Sequence, residues 1–162
     1  MEPSHKDETS KSATAFVPAG QDKFGHHRGL GISVIQFKLT LPGNDDIFIL
    51  ENVFKGKGGP PRHVHPHQDE WFYALEGTFE FEIGTEKIKL GAGDSVTGPR
   101  GIPHVWASTG ETGGRILVAF SPAGKMEAFF AEVTKTNAMP SQDPALWLAH
   151  GMQVVGPPLP IA

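Results

Sequence analysis

The chain predicts an all-β fold followed by two short helices near its C-terminus. Three observations carry this expectation. First, 20 glycines and 14 prolines cluster between short apolar runs, at Pro42-Gly43, Gly56 to Pro61, Gly91 to Gly93, Gly98-Pro99 and Gly113-Gly114. Short runs separated by such turn residues read as strands of a sandwich or barrel. Second, the apolar period between turns is two: Phe79, Phe81 and Ile83 alternate with Glu80 and Glu82, so one face is buried and one wetted. Third, after Ser121 the period lengthens, with Met126, Phe129, Phe130 and Val133 at helical spacing.

The elements follow in order. Residues 1–13, MEPSHKDETSKSA, read as a disordered polar tail. Residues 14–162 read as one domain with a substantial core. The segment FGHHRGLG holds His26, His27 and Arg28 before the first long strand. It reads as a solvated loop, or alternatively as a lid over the barrel mouth. Strands are expected at 32–39, 47–54, 62–65, 70–75, 78–83, 87–90, 95–97, 104–107 and 115–120. Glu76-Gly77-Thr78 supplies the turn between two of them. Asp143-Pro144 has the chemistry of a helix N-cap and first helical residue, opening a second helix that ends near Gly151. The tail GPPLP is rich in residues without a backbone donor, so it is expected to be irregular and to lie extended across the barrel. No internal repeat is visible, which implies a single barrel.

Composition excludes several roles. Over 162 residues the formal net charge is −4, the isoelectric point is near 6.0, and no basic block occurs. Neither a nucleic acid nor a membrane is an expected partner. There is no cysteine, so any metal site must use nitrogen and oxygen ligands. The first residues lack the apolar stretch of a secretory signal, and no run approaches the roughly 18 residues that span a bilayer. A cytoplasmic protein is the expectation.

The chemistry concentrates in Gly58 to Gly77, GGPPRHVHPHQDEWFYALEG. His63 and His65 sit at i and i+2, hence on one face of a strand. Glu70 follows with the spacing His-x-His-x4-Glu, and Gly77 comes after six more residues. Imidazoles with a carboxylate suit a divalent transition metal. A second stretch reads Gly93-x5-Pro99-x-Gly101-x2-His104-x3-Ser108 and brings another imidazole, His104. His5 and His150 look incidental.

Together these stretches resemble the paired motifs of the cupin superfamily, G(X)5HXH(X)3–4E(X)6G and G(X)5PXG(X)2H(X)3N. The resemblance covers about residues 45–121. Two departures are visible: four residues rather than five separate Gly58 from His63, and Ser108 replaces the terminal Asn. The second removes a side-chain hydrogen bond near the end of that strand. The resemblance implies a double-stranded β-helix, or jelly-roll barrel. It also implies one divalent metal per chain (Fe, Mn, Ni, Co, Cu or Zn), held by His63, His65, Glu70 and His104. The segment PPRHVHPHQDEWFYALEG and the C-terminal helices are similar to single-domain cupins related to quercetin 2,3-dioxygenases. This implies a dioxygenase of a small aromatic or enolic compound, with iron among the candidate metals. Alternatives are a metallo-cupin isomerase, lyase or hydrolase using the metal as a Lewis acid, and a non-catalytic small-molecule-binding cupin.

Within that frame Glu70 reads as ligand, catalytic base or both. His67 shares parity with His63 and His65, but pairing it with His65 leaves only two residues before Glu70. It therefore reads as exposed or as a neighbour of the ligands. Parity places Phe72, Ala74 and Trp106 beside the ligands, with Phe48, Phe79, Phe81 and Phe120 as further pocket candidates. Arg62 and Arg100 flank the ligand segments. Cupins of this kind are usually homodimers, and the outward set Trp71, Tyr73 and Leu75 offers an apolar surface for pairing.

Overall fold

The structure is a computed structural model that describes residues 14–139 and 142–162. The expected tail at 1–13, with His5, lies outside the described residues. The strands before the helices are β1 (Arg28–Leu30), β2 (Ser33–Leu39), β3 (Phe48–Phe54), β4 (Pro61–Val64) and β5 (Asp69–Glu76). They continue with β6 (Phe79–Ile83), β7 (Glu86–Leu90), β8 (Ser95–Gly98), β9 (His104–Ser108) and β10 (Gly114–Ser121). Helices α1 (Met126–Val133) and α2 (Pro144–Ala149) precede a last strand, β11 (Gln153–Pro158).

The strands form two antiparallel sheets, β1-β2-β3-β10-β5-β8 and β11-β4-β9-β6-β7. They face one another as a jelly roll, the predicted all-β class. Alternation sorts the side chains: along β5, Phe72 and Ala74 are fully buried while Trp71, Tyr73 and Leu75 point outward. Phe37, Phe48, Phe79, Phe81, Ile116 and Phe120 complete the interior. Gly77 turns β5 into β6 at φ 83°, and a Cβ there would lie 2.7 Å from the Gly113 carbonyl oxygen, so glycine is required.

Three expectations need correction. Arg28 does not stay in a solvated loop. It opens β1, pairs with Asp22 at 2.8 Å and stacks over Phe37 at 3.8 Å. A buried arginine reads as loop in sequence because its acid and its ring arrive from elsewhere. His26 and His27 remain exposed and line a shallow surface hollow instead of covering the main cavity. The tail containing GPPLP is irregular only at its end: residues 153–158 form β11 against β4, and Leu159 and Pro160 lie beyond it. This strand is at a sheet edge and its register shifts around Gly156, a setting in which proline's missing donor is tolerated. The second helix is as expected, with the Asp143 side chain accepting from the Ala145 N–H and Pro144 in the first turn.

Candidate metal centre

Three segments from the two sheets meet at one point. In one sheet His63 of β4 is the direct cross-strand partner of His104 of β9. His65 lies one residue past β4, where its carbonyl accepts from the Gly101 N–H at 2.9 Å. In the facing sheet Glu70 lies on β5, paired with Phe120 on one side and Gly98 on the other. The four side chains are buried, and their ligand atoms all lie within 4.8 Å of one another. Glu70 Oε2 is 2.8 Å from His104 Nε2, 3.0 Å from His65 Nε2 and 3.9 Å from His63 Nε2. Two nitrogen or oxygen ligands about 2.1 Å from one ion are separated by similar distances.

The hydrogen bonds behind the rings show which nitrogens face inward. His63 Nδ1 is 2.7 Å from the Pro61 carbonyl oxygen, which can only accept. Its Nδ1 therefore carries the proton and Nε2 presents a lone pair. His65 Nδ1 lies 2.7 Å from Gln68 Oε1, with the same consequence. His65 Nε2 is then a buried nitrogen without a hydrogen bond, facing a carboxylate oxygen. Two acceptors in contact are unfavourable unless a cation lies between them. The donor set therefore fits a divalent metal. His104 differs: its Nε2–H donates to Glu70 Oε2, and its Nδ1 has no partner. Binding of an ion exchanges that proton for the metal. The ring packs against Gly98, where a Cβ would come within 3.1 Å of Nδ1.

Electrostatics agree with a neutral His63 and a charged acid. Burial depresses the His63 pKa to about 4, outweighing the opposing pull of the Glu70 carboxylate. Burial by itself would raise Glu70, but the imidazole rings gathered round it, with His104 donating a hydrogen bond, hold it well below the usual carboxylate range.

A cavity of about 50 Å³ opens beside these side chains. Of the seven pocket residues expected from sequence, Trp106 and Phe120 line it. Phe48, Phe72, Ala74, Phe79 and Phe81 do not; they are packed into the solid core. Parity decides only that a residue points inward. It does not decide which layer of the interior remains open. The roof was not foreseen: Met126, Phe129 and Phe130 of α1, Trp147 of α2, Met139 and Met152. Trp147 also meets the His63 ring, with centroids 5.1 Å apart. The helical spacing of α1 signalled an apolar face, without saying what it covers. Asn52 also lines the cavity; it is 6% exposed and its Oδ1 is unpaired.

Other candidates lie elsewhere. His67 is exposed and outside the cluster. Arg62 pairs with Glu82, and Arg100 with Asp69 at 2.8 Å. His150 caps α2 through Leu146. Gly58 exchanges backbone hydrogen bonds with Ser108, whose buried Oγ has no partner.

Residues 50–120 match the family model of the cupin domain. That match supports the cupin superfamily for this stretch of the chain. Germin-like protein 5-1 of Oryza sativa subsp. japonica is 31% identical over 88 residues, 50% of this chain and 40% of that protein. The chain thus spans less than half of that relative. Among solved structures, a RmlC-like cupin from Shewanella frigidimarina shares 26% identity at TM-score 0.50, over 60% of this chain and 82% of the other. KdgF from Halomonas sp. shares 24% at TM-score 0.51, over 56% and 79%. Bacillus subtilis oxalate decarboxylase shares 23% at TM-score 0.52, over 60% and 27%. The last two likenesses show the fold alone. Among the described residues no helix is long and apolar enough to cross a membrane.

Proposed function

We propose that this cupin is a metal-dependent dioxygenase of a small aromatic or enolic compound. The observation that carries the reading is the meeting, in one cavity, of three donors of the site, His63, His65 and Glu70, with an apolar, aromatic wall. Among the described lining residues Glu70 is the sole acid, and no lysine or arginine is present. A polyanion or a polyol would leave polar groups unpaired there. A flat apolar body bearing one acidic oxygen would not. The cavity volume lies far below the roughly 300–1,000 Å³ of drug-sized sites, which weighs against a three-ring flavonol.

His63, His65, Glu70 and His104 would hold the ion. When bound, a redox-active metal would bind the acidic oxygen and exchange electrons with dioxygen. The chain's own part is proton transfer and exclusion of water. Glu70, held ionised, takes the proton of the phenol or enol at its carboxylate. Trp106, Phe120, Phe129 and Trp147 orient the ring and keep bulk water away.

The test loads metal-free protein separately with Fe, Mn, Co, Ni, Cu and Zn ions. Each form is screened against catechols, β-diketones and flavonols in an oxygen electrode. Oxygen uptake matched to substrate loss is expected with a redox-active ion. Turnover with zinc and no oxygen uptake would replace this reading with Lewis-acid isomerase or lyase chemistry. In the active form Glu70→Gln should lower the single-turnover rate by about 10²-fold or more at saturating metal. A near-wild-type rate would leave Glu70 a ligand alone.

A further inference from the structure

Gln68 stands outside the ring of ligands yet contacts both the centre and its roof. Its side chain is buried at 8% exposure. Its Nε2 donates to the Pro122 carbonyl at 2.7 Å and the Ala123 carbonyl at 3.0 Å. Carbonyl oxygens only accept, so these two bonds fix which end of the amide is nitrogen. Oε1 must therefore face His65, 2.7 Å from its Nδ1. His65 is thereby held with its proton on Nδ1 and its lone pair on Nε2, directed at Glu70. Every hydrogen-bonding direction in this relay is forced by the two carbonyls at its far end.

Those carbonyls lie just before α1. The Ala123 carbonyl itself receives the Met126 N–H at 3.2 Å, and Met126, Phe129 and Phe130 roof the cavity. The next residue, Gly124, has a φ of 54°, and a Cβ there would crowd Gln68 Nε2 at 3.1 Å. The amide therefore links one imidazole of the centre to the segment that closes over it.

We propose that Gln68 is a positioning residue that holds His65 in its metal-binding tautomer and ties metal occupancy to the closure of α1 over the cavity. This rests on the reading of the four side chains as a metal centre. The two functions of the amide separate by substitution. Gln68→Glu keeps an acceptor for His65 Nδ1–H and loses both donors to the carbonyls. Gln68→Met keeps the length and loses both functions.

The probe is Co²⁺ alone, followed by titration of its visible absorption and by hydrogen exchange of residues 122–133. Gln68→Met should weaken Co²⁺ by about 10- to 100-fold, the usual cost of losing such an outer partner. Gln68→Glu should bind within about threefold of wild type on the same reasoning. Co²⁺ should slow exchange in 122–133 in wild type, and this response should vanish in Gln68→Glu. Long-range ¹H–¹⁵N spectra of the metal-free wild type should show His65 protonated at Nδ1, a readout that needs no variant to fold. Wild-type affinity in Gln68→Met, equal weakening in both variants, or a His65 proton on Nε2 would overturn the proposal and leave the metal centre intact. A wild type that takes up no Co²⁺ would overturn both.

Discussion

Acidifying the metal-free protein should destabilise it well before its carboxylates titrate, and His63 is the reason. The ring is 4% exposed, and its two polar contacts are the Pro61 carbonyl behind it and the His–Glu cluster in front. Burial, helped by the neighbouring His104 and His65, holds its pKa at about 4 against an ordinary 6.5. The folded state therefore binds fewer protons than the unfolded chain between those values, so stability falls as pH drops through this window. At about 1.4 kcal/mol per pH unit the full loss is about 3 kcal/mol, of which about 2 kcal/mol has appeared by pH 5. Glu70 has a depressed pKa, so its contribution is lost only below its ordinary value of 4.5. The range above pH 5 thus separates His63 from Glu70. Urea unfolding in a chelator at about pH 7, 6 and 5 measures the effect as a fall in midpoint at constant m, of order 1 M. His63→Gln should flatten the dependence. A wild-type midpoint unchanged between pH 7 and pH 5, or an identical slope in His63→Gln, would refute the reasoning.

Three further outcomes follow from the same geometry. His104→Ala and His63→Ala each remove an inward donor that no neighbour replaces, so bound metal by elemental analysis should fall well below one per chain; His67→Ala should leave it unchanged, because His67 is exposed and outside the cluster. Asn52→Leu replaces a buried amide whose Oδ1 is unpaired in a wall of Leu50, Phe54 and Val118; it should raise unfolding stability by about 1 kcal/mol, and a lower melting temperature would show the amide to be structural. The outer face of the larger sheet carries Trp71, 39% exposed, with Tyr73 and Leu75 beside it. Met126, Phe129 and Phe130 of α1 and Trp147 of α2 face the cavity roof instead. Light scattering should therefore find a homodimer at micromolar concentration, which Trp71→Glu converts to monomer; a monomeric wild type would remove the claim.

The metal set was legible in sequence through the two motifs that resemble those of cupins, and part of it rests on local geometry. The i, i+2 spacing of His63 and His65 puts two rings on one face whatever surrounds them. Gly93, Pro99 and Gly101 punctuate the approach to His104 in a pattern that identifies its strand. Alternation similarly determined which face of β5 and β6 is buried, and Asp143-Pro144 marked the start of α2. None of these readings needs a distant partner.

What the sequence left open depends on contacts that only the folded chain makes. Arg28 becomes interior because Asp22 and Phe37 receive it. Pro157 and Pro158 can join a strand because β11 falls at a sheet edge. Parity sends both Phe72 and Phe120 inward, yet only the packing of α1 and α2 leaves space beside Phe120 and none beside Phe72. The role of Gln68 needs the Pro122 and Ala123 carbonyls, 54 and 55 residues away. Residue types and short periods specify the ligands and the faces. Closure of the two sheets and the placing of the roof decide the shape of the cavity, because empty space is what remains once every side chain has packed.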